Sequence, residues 1–324
     1  MKSSNIGGQA VMEGIMMRHG DSYSIAVRKP DHEIEVRVKP YQSLIQNKKI
    51  LSLPIIRGAI SFFDSLIIGT KCLMYSASFF EDEEEDDKEK AKKTEEEQKR
   101  QEKWLMYGTV GFSIVLSVAI FMMLPYFLTN LLRHLISSHV ILSLVESVVR
   151  VAIFLLYLFI VSHMKDIQRT FEYHGAEHKC INCIEHGHAL TIENVRDSSR
   201  EHKRCGTSFL FYVMIVSAIL LMFVRVNSPV LRIVVRLLLL PVIAGISYEI
   251  IRMAGRSDNK FVNALSKPGL MIQHMTTREP DEEEIQVAIE AVEAVFNWKT
   301  YLAENFDYDI EDGEGKKSFS EAYE

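Results

Sequence analysis

Cysteine is scarce in this sequence. Four in 324 residues are too few to staple a chain of that length, so a disulfide-framed scaffold is excluded. A basic surface is also lacking. The formal net charge is -6, much of it from EDEEEDD at 81–87 and the acidic tail, and no aromatic residues interleave with a basic patch. No nucleic-acid partner is expected on that balance. The opening MKSSNIGGQAVMEG has no apolar core after its lysine, which is not the pattern of a cleavable signal peptide. The remaining absence is local. Charged residues make up 25% of the chain and hydrophobic ones 48%, ordinary totals that hide stretches with almost no charge.

The longest bare stretch is 105–132, with no charge over 28 positions, where about 20 residues of helix suffice to cross a hydrocarbon core. Pro125 is expected to kink its far end. Residues 143–162 follow, with Glu146 and Arg150 placed to pair at i,i+4. Residues 207–224 make a third stretch and 230–250 a fourth, the weakest, because Arg232, Arg236 and Glu249 lie near its ends. Four such stretches in one chain read as a mainly α, polytopic protein of the cytoplasmic membrane, with the lipid bilayer as its surroundings. Lysine and arginine number seven in 88–103, seven in 163–206 and four in 252–267, against one in 133–139. That asymmetry places both termini and the central loop in the cytoplasm. Arg225, Arg232 and Arg236 then fall at or near the outer face, against the rule.

The rest of the chain is organised around this block. Residues 1–50 read as a small β-rich cytoplasmic segment, in which Gly20-Asp21 and Pro30-Asp31 separate three short strands. Residues 51–80 read as an amphipathic or interfacial helix, because Arg57, Asp64 and Lys71 recur every seven positions on an apolar background. Next come a charged linker at 81–104, the four-span block at 105–251 with a cytoplasmic loop at 163–206, and a cytoplasmic segment at 252–300. This last contains a capped amphipathic helix, whose acidic first turn follows REPD and precedes Ile285, Ala288, Ile289 and Val292. An acidic, disordered tail is expected at 301–324.

The chemistry concentrates in FEYHGAEHKCINCIEHGH, 171–188, which holds four histidines, two cysteines and three glutamates. His174 and His178 are one helical turn apart on one face, a spacing that suits two imidazoles on one ion. With Glu177 they spell His-x-x-Glu-His, the order in which inverted-motif zinc proteases use the glutamate to activate a metal-bound water. His202 and Cys205 arrive just before the third apolar stretch and are candidate further ligands, Cys205 ahead of His202 because a thiolate suits zinc. Glu249 is held in reserve. Two other readings of the cluster stand beside this one. The histidines can be polar residues at a membrane face, or Cys180 and Cys183 with His186 or His188 can form a closed structural zinc site.

Four motifs, GGQAVMEGIMMR (7–18), YHGAEHK (173–179), HKRCGTSF (202–209) and PGLMIQHMTTREPDEEEIQVAI (268–289), together resemble the YqhQ family, bacterial multi-pass membrane proteins described as metal-dependent enzymes without an established substrate. The resemblance runs from about residue 5 to 297. It implies a divalent metal, zinc by donor chemistry, on His174, His178, Cys205 and His202, with Glu177 as the catalytic residue. It leaves Cys180 and Cys183 outside the motifs. Glu13 is expected to pair with Arg18 or Arg57, in a packing role. Three functions remain: a zinc-dependent, hydrolase-like membrane enzyme, a non-catalytic scaffold or assembly factor with a structural metal, and a transporter. No apolar stretch carries an acid or histidine near its midpoint, which disfavours the last.

Overall fold

The computed structural model describes residues 2–42, 53–80, 95–224, 226, 228–255, 259–306 and 308. Its strands are β1 (Gly7–Val11), β2 (Gly14–His19), β3 (Ser22–Arg28) and β4 (Ile34–Pro40). Its helices are α1 (Pro54–Ala77), α2 (Glu95–Val118), α3 (Leu124–Asn130), α4 (His139–Val161), α5 (Lys165–Glu185), α6 (Ile192–Asp197), α7 (Gly206–Met222), α8 (Pro229–Ala254), α9 (Lys260–Thr276), α10 (Glu282–Glu293) and α11 (Trp298–Asn305). A π-helical turn, Ala119–Met123, separates α2 from α3. The chain divides into two compact units. One takes Met1–Phe79, Phe159–Val216 and Leu239–Glu324, the other Phe80–Leu158 and Ser217–Leu238.

The first unit is built on an antiparallel meander, β1-β2-β3-β4. Four strands form where three were expected, because a further turn at Met12-Glu13 is closed by the Val11–Gly14 pair. Neither residue is a usual hairpin-turn type, and Glu13 takes a left-handed φ of 46°. Such a backbone persists where its surroundings hold it. Here the Glu13 carboxylate accepts from Arg169 Nε at 3.1 Å and from the Tyr173 hydroxyl at 3.3 Å. Arg169, not Arg18 or Arg57, is therefore the partner of Glu13. Arg18 lies over the Tyr41 ring at 4.3 Å, and Arg57 grips Glu249 at 2.7 and 2.8 Å.

Helices α5 and α10 pack on the sheet. Tyr173, Ile181 and Ile184 of α5 meet Ile15, Met17 and Ala26 of the sheet and Ile285, Ala288 and Val292 of α10 in one buried core. Full burial of each large side chain there contributes about 1.5–3 kcal/mol. Helix α10 starts with a reciprocal cap. The Asp281 carboxylate accepts from Glu284 N at 2.9 Å, and that of Glu284 accepts from Asp281 N at 3.0 Å.

Helix α1 turns two of its three heptad-spaced polar residues inward: Arg57 reaches Glu249 of α8, and Asp64 is buried and accepts from the Tyr41 hydroxyl at 3.1 Å, while Lys71 is exposed. Its Leu66, Ile67 and Leu73 stay exposed. The segment 163–206, expected as a loop, is mostly helix (α5 and α6). Residues expected as a tail begin inside α11, and 309–324 lie outside the described residues, as do 81–94 of the linker.

Three helical stretches are long and apolar enough to cross a membrane: Tyr107–His134, His139–Val161 and Ile233–Ala254. The fourth, α7, is apolar over 17 residues, about 25 Å of helix against a hydrocarbon core of about 30 Å. The order of strength is thus the reverse of that expected for the last two. Of the charges that weakened 230–250, Glu249 pairs with Arg57, and Arg236, buried at 6% exposure, with Glu146. Across these stretches Phe112, Val115, Val148 and Leu238 are exposed, apolar surface of the extent that marks an interaction with something other than water.

Candidate metal centre

His174 and His178 project from one face of α5 with ring centroids 4.4 Å apart. Each ring is oriented by a backbone carbonyl. His174 Nδ1 donates to Thr276 O at 2.8 Å, and His178 Nδ1 donates to Arg200 O at 2.6 Å. A carbonyl only accepts, so each ring keeps a proton on Nδ1, and Nε2 is the atom left to face a metal. Cys205, immediately before α7, brings Sγ to 3.3 Å from His174 Nε2. One ligand atom from each of His174, His178 and Cys205 lies within 4.8 Å of the others, and among the described residues this is the group able to share an ion. A carbonyl accepting from the far ring nitrogen is the usual companion of an imidazole ligand.

The segment bearing Cys205 is clamped by Gln273 of α9, which is fully buried. Its side chain accepts from His202 N at 3.0 Å and donates to His202 O and Ser208 Oγ, each at 2.7 Å. The Thr207 N–H at the start of α7 donates to Cys205 Sγ at 3.3 Å. Burial pushes the Cys205 thiol up, but the charge and hydrogen bonds of His174 and His178 outweigh it and hold the thiol well below its ordinary range. Burial pushes His174 down, and the Cys205 charge and hydrogen bond reverse this and raise it to about 9.

Glu177 is buried at 5% exposure beside this group. Burial raises its pKa, and the two histidines and a backbone hydrogen bond from Gly8 pull the other way. Gly8 of β1 explains part of the GGQAVMEG motif. A Cβ at that position would sit 2.8 Å from Glu177 Cγ and 2.9 Å from Cδ, so only glycine lets the strand backbone pass this close without moving the carboxylate.

The other sequence candidates lie apart from the three-residue group. His202 has its ring 5.6 Å from that of His178 and its Nε2 3.9 Å from Glu185. Glu249 is engaged by Arg57. Cys180 and Cys183 are in the apolar core, Cys183 donating to Ala189 O at 3.3 Å, and His186 is bonded through Nδ1 to Asn182 O at 2.8 Å. Gln273 and the Thr276 and Arg200 carbonyls escaped the sequence reading. Gln273 lies inside PGLMIQHMTTREP and was open to notice as an uncharged polar residue on an apolar helix face. The carbonyls carry no side-chain signal.

Residues 53–298, which include His174, Glu177, His178 and Cys205, match the family model described as Protein of unknown function (DUF1385). The Bacillus subtilis (strain 168) protein named Uncharacterized protein YqhQ is 32% identical over 308 residues, 92% of this chain and 94% of the relative. The chain belongs to the DUF1385 family. No solved structure matches it. The DUF1385 match thus spans α1 to the first residue of α11, while Gly8 and Glu13, which reach α5 from the N-terminal sheet, precede it.

Proposed function

We propose that this DUF1385 protein is a membrane-embedded, metal-dependent enzyme of hydrolase type, acting at the cytoplasmic face of the cell membrane. The observation that carries the reading is the convergence of two carbonyl-oriented imidazoles and a low-pKa thiol beside a buried carboxylate. Two histidines and a cysteine are a donor set suited to zinc with one position left for water or substrate. Bound there, zinc supplies a Lewis acid and lowers the pKa of a coordinated water to roughly 7. The chain's own part is to hold His174 and His178 in the Nδ1–H tautomer, keep Cys205 ionised and offer Glu177 as the proton acceptor. Burial and the raised pKa of Glu177 bring it towards the operating range of a general base. Substitution of Glu177 by Gln is expected to leave metal content and thermal stability close to wild type and to abolish the cellular role in a complementation assay. A variant that complements fully favours a second reading, a structural metal in a scaffold, for which the burial of His178 and Cys205 speaks.

The membrane reading rests on the three long apolar helices and their exposed side chains. With α7 as a fourth, short crossing, both termini and α5 face the cytoplasm. Reporter fusions after residues 136 and 190 are expected on opposite sides of the membrane. The same side for both would overturn the four-crossing topology.

A further inference from the structure

We propose that α1 is itself a membrane element and lies against the acyl chains of the bilayer. The proposal rests on the reading of α8 as a membrane-crossing helix, and it adds an element that apolar length alone passes over. The residues that α1 buries are Gly58, Asp64, Gly69, Cys72 and Ser76, all small or polar. Those it exposes are large and apolar: Ile56, Phe63, Leu66, Ile67, Leu73 and Met74 are each 38–55% exposed. Their spacings of three, four and seven gather them on one side of the helix. Thr70 stands among them with its hydroxyl turned back onto the Leu66 carbonyl at 2.8 Å, so that its O–H is satisfied without water. A helix that packs on a core and faces water has the opposite arrangement. In lipid the large apolar side belongs outside.

The inner side of α1 is also built as helix contacts in lipid are, from small residues that let backbones come close. A Cβ on Gly58 would stand 2.7 Å from the Gly245 carbonyl oxygen of α8, and one on Gly245 would strike the Ile55 carbonyl. Next to this crossing Arg57 pairs with Glu249, and Phe62 stacks on Phe209 of α7 with ring centroids 5.3 Å apart. The helices that α1 packs on expose apolar side chains as well, Leu240 and Val242 of α8 and Leu210 of α7, and α8 is long and apolar enough to cross a membrane. The medium that covers α8 therefore reaches α1. Towards its C-terminal end α1 meets a basic and aromatic group. Arg37 and Lys39 of β4 lie over the Tyr75 ring at 4.8 and 5.3 Å, and Lys71 is exposed one turn back. Such residues mark the headgroup level of a bilayer. The change from apolar to basic along α1 fits a lipid leaflet, whereas a second copy of the chain gives no reason for it. At the same end Ser76 Oγ accepts from Met12 N at 3.1 Å, just after the strand whose Gly8 meets Glu177. The embedded helix thus ties the metal centre to the bilayer surface.

The test places photoreactive benzoylphenylalanine, one position at a time, at Leu66, Leu73, Leu240 and Gln286 of the full-length protein. Each variant is reconstituted in liposomes of equal parts phosphatidylcholine and phosphatidylglycerol, irradiated, and read by intact mass and gel mobility. Leu240 reports on the membrane reading, and Gln286, exposed on α10, on the aqueous background. Lipid adducts at Leu66 and Leu73 are expected in yields close to that at Leu240 and about tenfold above that at Gln286. Adducts at Leu240 with background yield at Leu66 or Leu73 would overturn the proposal and leave the membrane reading standing. Chain-to-chain adducts at Leu66 in place of lipid would overturn it in favour of a second copy. Background yield at Leu240 as well would overturn both.

Discussion

Replacement of His174 and His178 together by alanine is expected to take bound zinc from near one per chain to none. One ring nitrogen of each histidine and Cys205 Sγ converge within 4.8 Å, and loss of two of three donors leaves a lone thiol that cannot hold the ion. Elemental analysis of detergent-purified full-length protein reads the result, with circular dichroism to show that the variant is folded. Cys205→Ser is expected to lower metal content strongly as well, since a hydroxyl is a far poorer zinc ligand than a thiolate. Glu177→Gln and Cys180→Ser/Cys183→Ser are expected to retain it. Equal zinc in wild type and the double histidine variant would move the site to Cys180 and Cys183.

Arg204→Met is expected to be the most destabilising single change in the first unit, by about 3–5 kcal/mol, because it leaves a buried carboxylate without its cation. Glu185, at 0% exposure, is held by Arg204 and by the Ser4 backbone N–H and hydroxyl, at 2.7 and 2.8 Å. Burial alone pushes Glu185 up, but His202, Arg204 and Ser4 outweigh it and lower it to about 2. A carboxyl lowered on folding from an ordinary 4.5 contributes stability in full above pH 4.5, and loses it as pH falls towards 2. The shift corresponds to about 3 kcal/mol. His202, which burial lowers from 6.5, acts in the same direction, since the unfolded chain takes up its proton first as pH falls. Thermal melts between pH 7 and 3 are therefore expected to show a steep acid limb in the wild type and a flatter one in Glu185→Gln. An unchanged limb would mean that Glu185 is not ionised in the folded protein.

Much of the local architecture is determined by the sequence alone. Charge-free length marks the membrane-type helices, seven-residue spacing turns Arg57 and Asp64 to one side of α1, and four-residue spacing places His174 and His178 on one face of α5. These are properties of helical periodicity, so they are legible without knowing what packs against what. Even the cap at Asp281 follows from a short motif. The Met12-Glu13 turn did not follow, because its backbone is held by Arg169, 156 residues away.

The tertiary structure decided which candidates meet. Cys205 faces His174 across 31 positions, the Thr276 carbonyl orients His174 across 102, and Arg236 finds Glu146 across 90. Sequence spacing carries no information at such separations, because chain closure and packing set them. A backbone carbonyl also looks the same at every residue. Hence the chemistry of 174–178 and the ranking of Cys205 ahead of His202 and Glu249 were open to the sequence, whereas the convergence of Cys205 with the two histidines, and the approach of Gly8 to Glu177, belong to the packing of α5 against β1, α9 and the start of α7.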